Sequence, residues 1–174
     1  MALARRPDVK LFNSRQPEHC TMNETLQKQN RTIHVLMVED NADHAFLAAE
    51  AFADVSANIE LHTVDNGEKC LAFLARQAPW QDEPRPDLVL LGINMPRMSG
   101  DEVLRLIKAD PALCSLPVVM LSTSAAVSDI NHMYQLGCSS YLVKPGNFDA
   151  LVAALQQLCD YWFGFVLLPK SPKV

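Results

Sequence analysis

From residue 33 onward, short apolar runs alternate with longer segments whose apolar positions recur at helical spacing. Near-continuous apolar runs bounded by polar turns are typical of strands buried on both faces of a parallel sheet. The strands predicted from this pattern span residues 33–38, 59–64, 87–91, 117–121 and 140–143. The helices predicted between them span residues 43–54, 67–77, 99–109, 126–136 and 147–160.

The residues at the ends of the predicted helices support this alternation. Ser99 and Asn147 are candidate N-caps, because their side chains can accept hydrogen bonds from the first helical turn. Gly137 occupies the place of a helix C-cap. Five β-α units in strict alternation imply right-handed crossovers and a doubly wound sheet with helices on both faces. We therefore predict a flavodoxin-like α/β fold with strand order 2-1-3-4-5.

Length and composition suit one domain with short appendages. The chain has 174 residues, of which 49% are hydrophobic and 20% charged, an ordinary globular balance. Its net charge of −5 argues against a nucleic-acid surface, which needs clustered Lys and Arg. Residues 1–31 are polar and non-periodic, so we predict a disordered N-terminal extension before a domain at 32–160.

Cysteine usage and hydropathy indicate a cytoplasmic protein. The chain has five widely spaced cysteines without a Cys-x-x-Cys pair, namely Cys20, Cys70, Cys114, Cys138 and Cys159. This pattern favours free thiols, mostly buried, in a reducing compartment. No stretch approaches the roughly 20 apolar residues of a membrane helix, and the N-terminus lacks the apolar core of a secretory signal. We expect no membrane association.

Polar residues follow the strands at the point where each strand ends. Glu39 and Asp40 follow the first strand, Gly92 the third, Ser122 the fourth and Lys144 the fifth. In a doubly wound sheet, ligands bind beyond the carboxyl ends of the strands, near the switch point of strand order. We therefore expect these residues to converge at one edge of the sheet, although they come from distant parts of the chain.

In order and spacing, these residues resemble the receiver domain of two-component response regulators, from about residue 33 to residue 160. The resemblance implies that Gly92 occupies the position of the phosphorylated aspartate. It also implies that Glu39, Asp40 and the backbone carbonyl of Asn94 form a Mg²⁺ site, since this cation prefers oxygen ligands.

Further pocket roles follow from the same resemblance. Ser122 matches the hydroxyl residue that hydrogen-bonds the phosphoryl group, and Lys144 matches the lysine that pairs with phosphoaspartate. The Lys144–Pro145 bond resembles the family's cis peptide. Tyr141 matches the aromatic residue that changes rotamer on activation, but plain packing of this side chain is an equally good interpretation.

Glycine at position 92 removes the nucleophile that phosphotransfer requires. Asp87 lies at the opposite end of the same predicted strand and cannot replace it. Mg²⁺ binding should weaken with the loss of one anionic ligand, and Lys144 becomes free to bridge to Glu39 or Asp40. We expect no enzymatic activity. A magnesium-dependent phosphohydrolase, the enzymatic alternative, fails on the missing nucleophile.

The end of the chain, residues 161–174, is an apolar extension. Its aromatic residues are Tyr161, Trp162, Phe163 and Phe165. This tail, with the insert at 77–86, resembles single-domain receivers associated with bacterial phytochrome kinases, a group in which the tail is associated with homodimers. We predict dimerisation through these aromatics. The alternative is that the tail covers the core of its own domain.

The expected function is that of an atypical single-domain response regulator that acts through phosphorylation-independent protein contacts. The expected partners are a sensor histidine kinase, with the phytochrome type as a candidate, another receiver, and a second copy of the chain. Two alternatives stay open. In the first, Gly92 is an introduced change in an ordinary phosphorylatable receiver. In the second, the protein is a structural dimer that binds a non-kinase partner.

Overall fold

The computed structural model describes residues 31–55 and 58–169, so the predicted disordered extension lies almost entirely outside the described residues. The five strands are β1 (Ile33–Val38), β2 (Ile59–Val64), β3 (Leu88–Gly92), β4 (Val118–Ser122) and β5 (Ser140–Val143). The helices are α1 (Ala42–Val55), α2 (Gly67–Leu74), α3 (Gly100–Ala109), α4 (Val127–Gln135) and α5 (Phe148–Cys159), which continues as a π-helical segment at Asp160–Phe165.

The strands form one parallel sheet in the order β2-β1-β3-β4-β5, which confirms the predicted fold. Every residue of β3 and of β4 is buried, as expected of central strands covered on both faces. Strand order reverses between β1 and β3, so the carboxyl ends of these two strands border the crevice of the sheet. This topology decides where a ligand site can form.

Two apolar layers cover the sheet. One packs against α2, α3 and α4 and includes Phe73, Leu104 and Met133. The other packs against α1 and α5 and includes Phe52 and Leu155. Successive residues of β1 alternate between the two layers, because side chains of a strand point to opposite faces. The sheet is thus held from both sides and gives its strand ends fixed positions.

The predicted helix caps are present. Asn147 Oδ1 accepts a hydrogen bond from the backbone N–H of Ala150 at 2.8 Å. Glu102 at the third position of α3 accepts one from the backbone N–H of Ser99 at 3.0 Å, as in a capping box. Gly137 follows α4 with a φ of 92°, a left-handed conformation that glycine adopts without steric cost.

Several predicted bounds were wrong. Helix α2 ends at Leu74 instead of residue 77, since Arg76 adopts a positive φ of 53° that breaks helical geometry. Strands β3 and β4 each lie one residue later than predicted, because Gly92 and Ser122 still pair across the sheet. Within the described residues Ala78–Pro79 is cis and the bond before Pro145 is not; trans is the usual form of such bonds.

The tail lies partly against its own domain. Residues 160–165 are π-helical, and 166–169 have no regular structure. Phe163 is buried and packs in the layer formed by α1 and α5, as the core-covering alternative requires. Tyr161 and Phe165 are exposed. None of the helices in the described part of the chain has both the length and the apolar character of a membrane span.

Candidate functional site

A cleft of about 200 Å³ lies at the carboxyl ends of four strands. The predicted polar residues line it together: Glu39, Asp40, Gly92, Asn94, Ser122 and Lys144. The convergence expected from topology is therefore confirmed. Asn41, His44 and Thr123 also line the cleft, and the sequence did not single them out.

An ion pair closes the floor of the cleft. Lys144 Nζ contacts Glu39 Oε2, and the two side chains are only 15% and 4% exposed. A buried carboxylate needs such a partner, since an unpaired charge is costly away from water. The expectation that Lys144 bridges to the acidic pair is confirmed for Glu39, while Asp40 is exposed at the rim.

The second oxygen of Glu39 is also engaged. His44 Nδ1 lies 3.3 Å from Glu39 Oε1, and the backbone N–H of Asn41 donates to the same atom at 3.4 Å. Asn41 itself caps α1 through hydrogen bonds from the backbone N–H groups of Asp43 and His44. His44 lies in the first turn of α1, and it contacts Glu39 only because α1 starts beside the cleft.

The β4 side of the cleft is a hydrogen-bonded turn. Ser122 is buried, and its Oγ accepts a hydrogen bond from the backbone N–H of Ser124 at 3.1 Å. The hydroxyl of Tyr141 donates to the backbone carbonyl of Ser124 at 3.0 Å. Tyr141 is partly buried and also packs on the apolar layer of α2, α3 and α4. In this conformation Tyr141 thus combines packing with a polar contact to the turn.

Gly92 ends β3 in a crowded part of the backbone. A Cβ atom added at Gly92 would lie 3.0 Å from the carbonyl oxygen of Val38 and 3.7 Å from Met95 Cγ. A Cβ atom added at Gly100 would lie even closer to the carbonyl oxygen of Gly92, and the Gly100 N–H donates to the carbonyl of Ile93 at 2.8 Å. A side chain at position 92 therefore needs a shift of a few tenths of an ångström, and a Cβ at position 100 is excluded.

Asp87 stands at the opposite end of β3, as predicted. Its carboxylate accepts two hydrogen bonds from Arg31 at 2.9 and 2.8 Å and one from the backbone N–H of His34 at 3.0 Å. The carboxylate raises the pKa of the Arg31 guanidinium, chiefly through these hydrogen bonds. Asp87 therefore ties the start of β3 to β1 and takes no part in the cleft.

The oxygen donors of the cleft are a poor match for a tightly held Mg²⁺ ion. Mg²⁺ demands near-octahedral oxygen coordination, usually with one or two carboxylates. Both oxygens of Glu39 already have protein partners, and Gly92 has no side chain. Asp40 is the exposed carboxylate of the cleft. A metal ion would have to displace Lys144 from Glu39 to gain a second carboxylate.

The family model of the response regulator receiver domain matches residues 35–156. The response regulator Rcp1 of Synechocystis sp. is 36% identical over 137 residues, which cover 79% of this chain and 93% of that protein. The family model thus covers β1 from its third residue, the other four strands in full, and α5 as far as residue 156.

Solved structures give the same result. The phosphorylated cyanobacterial phytochrome response regulator RcpA superposes with a TM-score of 0.76 at 36% identity, covering 80% of this chain and 99% of that one. The Mn(2+)-bound form of Rcp1 gives a TM-score of 0.73 at 35% identity, with 79% and 99% covered. The response regulator RPA3017 in red light signalling of R. palustris gives a TM-score of 0.75 at 35% identity, covering 79% of this chain and 99% of that one.

Proposed function

Because the chain belongs to the response regulator receiver family, we propose that it is a two-component response regulator that acts without phosphorylation of β3. The observation that supports this proposal is the position of Gly92. It lines the same cleft as Glu39, Ser122 and Lys144, where the family resemblance calls for the acceptor aspartate. The cleft keeps the groups that would surround a phosphoryl group and lacks the carboxylate that would carry it.

No other described side chain near the cleft is well suited to replace the acceptor. Acyl phosphate formation needs a carboxylate that is free to attack in line with the leaving group. Glu39 is buried and held by Lys144, and Asp87 is held by Arg31 at the far end of the strand. Asp40 is exposed at the rim, and the Lys144 amine that would neutralise a phosphoryl group is engaged by Glu39.

The same geometry supports a weakened magnesium site. Glu39 must leave Lys144 before it can bind a cation, and Gly92 supplies no compensating ligand. The Lys144–Glu39 ion pair then takes over the neutralisation of charge that a metal would provide. In this proposal the cleft has one resting arrangement, and signalling depends on the outer surface of the domain.

We propose a sensor histidine kinase as the partner, with the phytochrome type favoured by similarity to RcpA and Rcp1. The protein would act in the cytoplasm and occupy the kinase, or a related receiver, without accepting phosphate. It would thereby compete with a phosphorylatable regulator and reduce signal flow. The chain itself would have no enzymatic activity.

A homodimer through the tail is part of the proposal. Tyr161 and Phe165 are 56% and 68% exposed, and exposed aromatics are common anchors of protein interfaces. Trp162 is half-buried beside Tyr161, with ring centroids 5.4 Å apart. Sedimentation of the Phe165→Ala variant tests this part. We expect a shift toward monomer, and an unchanged dimer would exclude Phe165 from the interface.

The central test is intact mass after incubation with acetyl phosphate and Mg²⁺, with Gly92→Asp and Gly92→Asn in parallel. We expect a phosphoryl adduct on the Gly92→Asp variant alone. The Asn variant is the matched control, because it adds nearly the same volume beside the Val38 carbonyl without a nucleophile. An adduct on the unaltered chain would refute the proposal, and peptide mapping would then identify the acceptor.

Capture of the kinase separates this proposal from a structural dimer that binds a non-kinase partner. The probe is the isolated dimerisation and phosphotransfer domain of a phytochrome-type kinase from the same genome. We expect the unaltered chain to bind it with an affinity that acetyl phosphate does not change. Absence of binding to every such kinase domain of that genome would contradict the proposed partner.

A further inference from the structure

A second cluster of polar side chains lies on the β1–β2 edge of the sheet, away from the cleft. His34 is the second residue of β1 and pairs in register with Glu60 of β2. His62 lies two residues beyond Glu60, so the three side chains share one face of the sheet. The cleft begins beyond the last residue of β1, at the opposite end of that strand.

The three side chains place their donor atoms around one point. His34 Nδ1 is 3.4 Å from His62 Nε2 and 3.4 Å from Glu60 Oε2, and His62 Nε2 is 3.9 Å from Glu60 Oε1. One ligand atom from each residue lies within 4.8 Å of the others. In a tetrahedral zinc site with bonds of about 2.0–2.1 Å, ligand atoms are about 3.4 Å apart. The observed separations therefore suit a cation between the three groups.

A fourth residue orients the cluster. Glu83 Oε2 lies 3.3 Å from His62 Nδ1, so this carboxylate can accept a hydrogen bond from Nδ1–H, and the lone pair is then on Nε2. A carboxylate on the outer nitrogen of a ligating histidine is a regular feature of zinc sites, where it fixes the tautomer and the ring. His62 also packs against the ring of Phe73 at 5.5 Å between centroids, which restricts the imidazole further.

We propose that His34, Glu60 and His62 form a site for a zinc-type divalent cation, with Glu83 as the residue that positions His62. Two imidazoles and one carboxylate are a zinc ligand set, and the fourth position is left to water. Glu60 is 57% exposed at its side chain, so the cation can enter from solvent. The bound ion would link edge strand β2 to β1. Through its contact with His62, Glu83 would also attach the loop before β3 to these strands.

This site differs in chemistry from the acidic cleft. Imidazole ligands favour zinc and its neighbours over Mg²⁺, which prefers oxygen. Without a cation, the same contacts would serve as a histidine pair joined by one hydrogen bond. The two interpretations differ in what the variant Glu60→Gln does, since only the cation requires the negative ligand. The proposal is independent of the function proposed above.

The test is calorimetric titration of the chelator-treated, full-length protein with ZnCl₂ in excess Mg²⁺, which occupies any competing oxygen site. We expect one zinc site per chain and a higher Tm with zinc, because a cation that binds the folded state stabilises it. Glu60→Gln and His62→Asn should each weaken binding at least tenfold. Glu83→Gln should weaken it about tenfold, as other outer-shell changes do. Glu60→Gln is a surface change and leaves folding intact.

Matched controls address the other possible ligands. His132→Asn removes an exposed histidine of α4, and Cys114→Ser removes an exposed thiol. The double variant His19→Asn with Cys20→Ser removes the histidine and the cysteine before residue 31. These variants should bind zinc like the unaltered protein. Co²⁺ should give the visible absorption of a four-coordinate site, lost in His62→Asn. Zinc affinity that is unchanged in Glu60→Gln and in His62→Asn would overturn the proposal. Absence of zinc binding to the unaltered protein would also overturn it.

Discussion

Loss of the Lys144 amine should destabilise the domain more than loss of any exposed cation, because Lys144 neutralises a buried carboxylate. The substitution Lys144→Met keeps most of the side-chain volume and removes the charge. Among the described residues, it leaves Glu39, which is 4% exposed, with His44 and the backbone N–H of Asn41 as partners. The remaining contacts are longer than 3.2 Å and compensate only part of the charge.

The expected magnitude follows from this burial. Breaking a buried ion pair by removing one partner costs about 3–5 kcal/mol. Lys144 is 15% exposed and Glu39 retains His44, so we expect about 2–3 kcal/mol for Lys144→Met, below the full range for a buried pair. Glu39→Gln should cost less, about 1 kcal/mol, because the freed Lys144 amine is partly exposed and can be solvated.

The assay is urea unfolding of the single and double variants, compared through the midpoint at constant slope. The double variant Lys144→Met with Glu39→Gln should cost less than the sum of the single changes, with a coupling of at least about 1 kcal/mol. Lys69→Met is the matched control. Its amine lies 2.7 Å from Asp65 in an exposed ion pair, so its loss should cost about 0.3–0.5 kcal/mol.

Two results would refute this reasoning. A cost for Lys144→Met within about 0.5 kcal/mol of the Lys69→Met control would mean that water, and not Lys144, stabilises the Glu39 carboxylate in the folded protein. Coupling below about 0.5 kcal/mol would mean that the two charges do not interact directly. Either result would also remove the reason to expect weak Mg²⁺ binding in the cleft.

Two further predictions concern the core and the thiols. Phe163→Ala should destabilise the domain by about 3 kcal/mol, at the low end for a buried Phe, and Phe165→Ala by less than about 0.5 kcal/mol; similar urea midpoints would contradict the packing of the tail. Burial raises the pKa of Cys70 and of Cys159 to about 12, while Cys114 is exposed. Iodoacetamide at pH 8 should therefore alkylate Cys114 before the other two, and equal rates in peptide mapping would contradict this order.

The strand and helix pattern could be predicted because burial leaves a direct record in the sequence. Strands covered on both faces read as apolar runs, and the polar residue that ends each run marks the edge where a site can form. Glu39, Gly92, Ser122 and Lys144 were identified in this way. The bounds were less accurate, since backbone conformation at single residues such as Arg76 leaves no signal in hydrophobicity.

The side chains that contact each other across the fold could not be predicted from the spacing of residues in the sequence. The choice of Lys144 for Glu39 over Asp40, and the role of His44, depend on which side chains the sheet buries and which it leaves to water. The contacts of the tail could not be predicted either. An apolar run indicates that its side chains must be buried, but it does not indicate which surface buries them.

The sequence by itself determined the fold class, the sheet order and the absence of a side chain at position 92, because these depend on local composition and on the handedness of crossovers. Only the tertiary structure decided that Lys144 pairs with Glu39, that Phe163 packs on its own domain, and that His34 and His62 lie close together beside Glu60. Such contacts join residues far apart in the chain, and their free energies depend on burial and distance, which exist only once the sheet has formed.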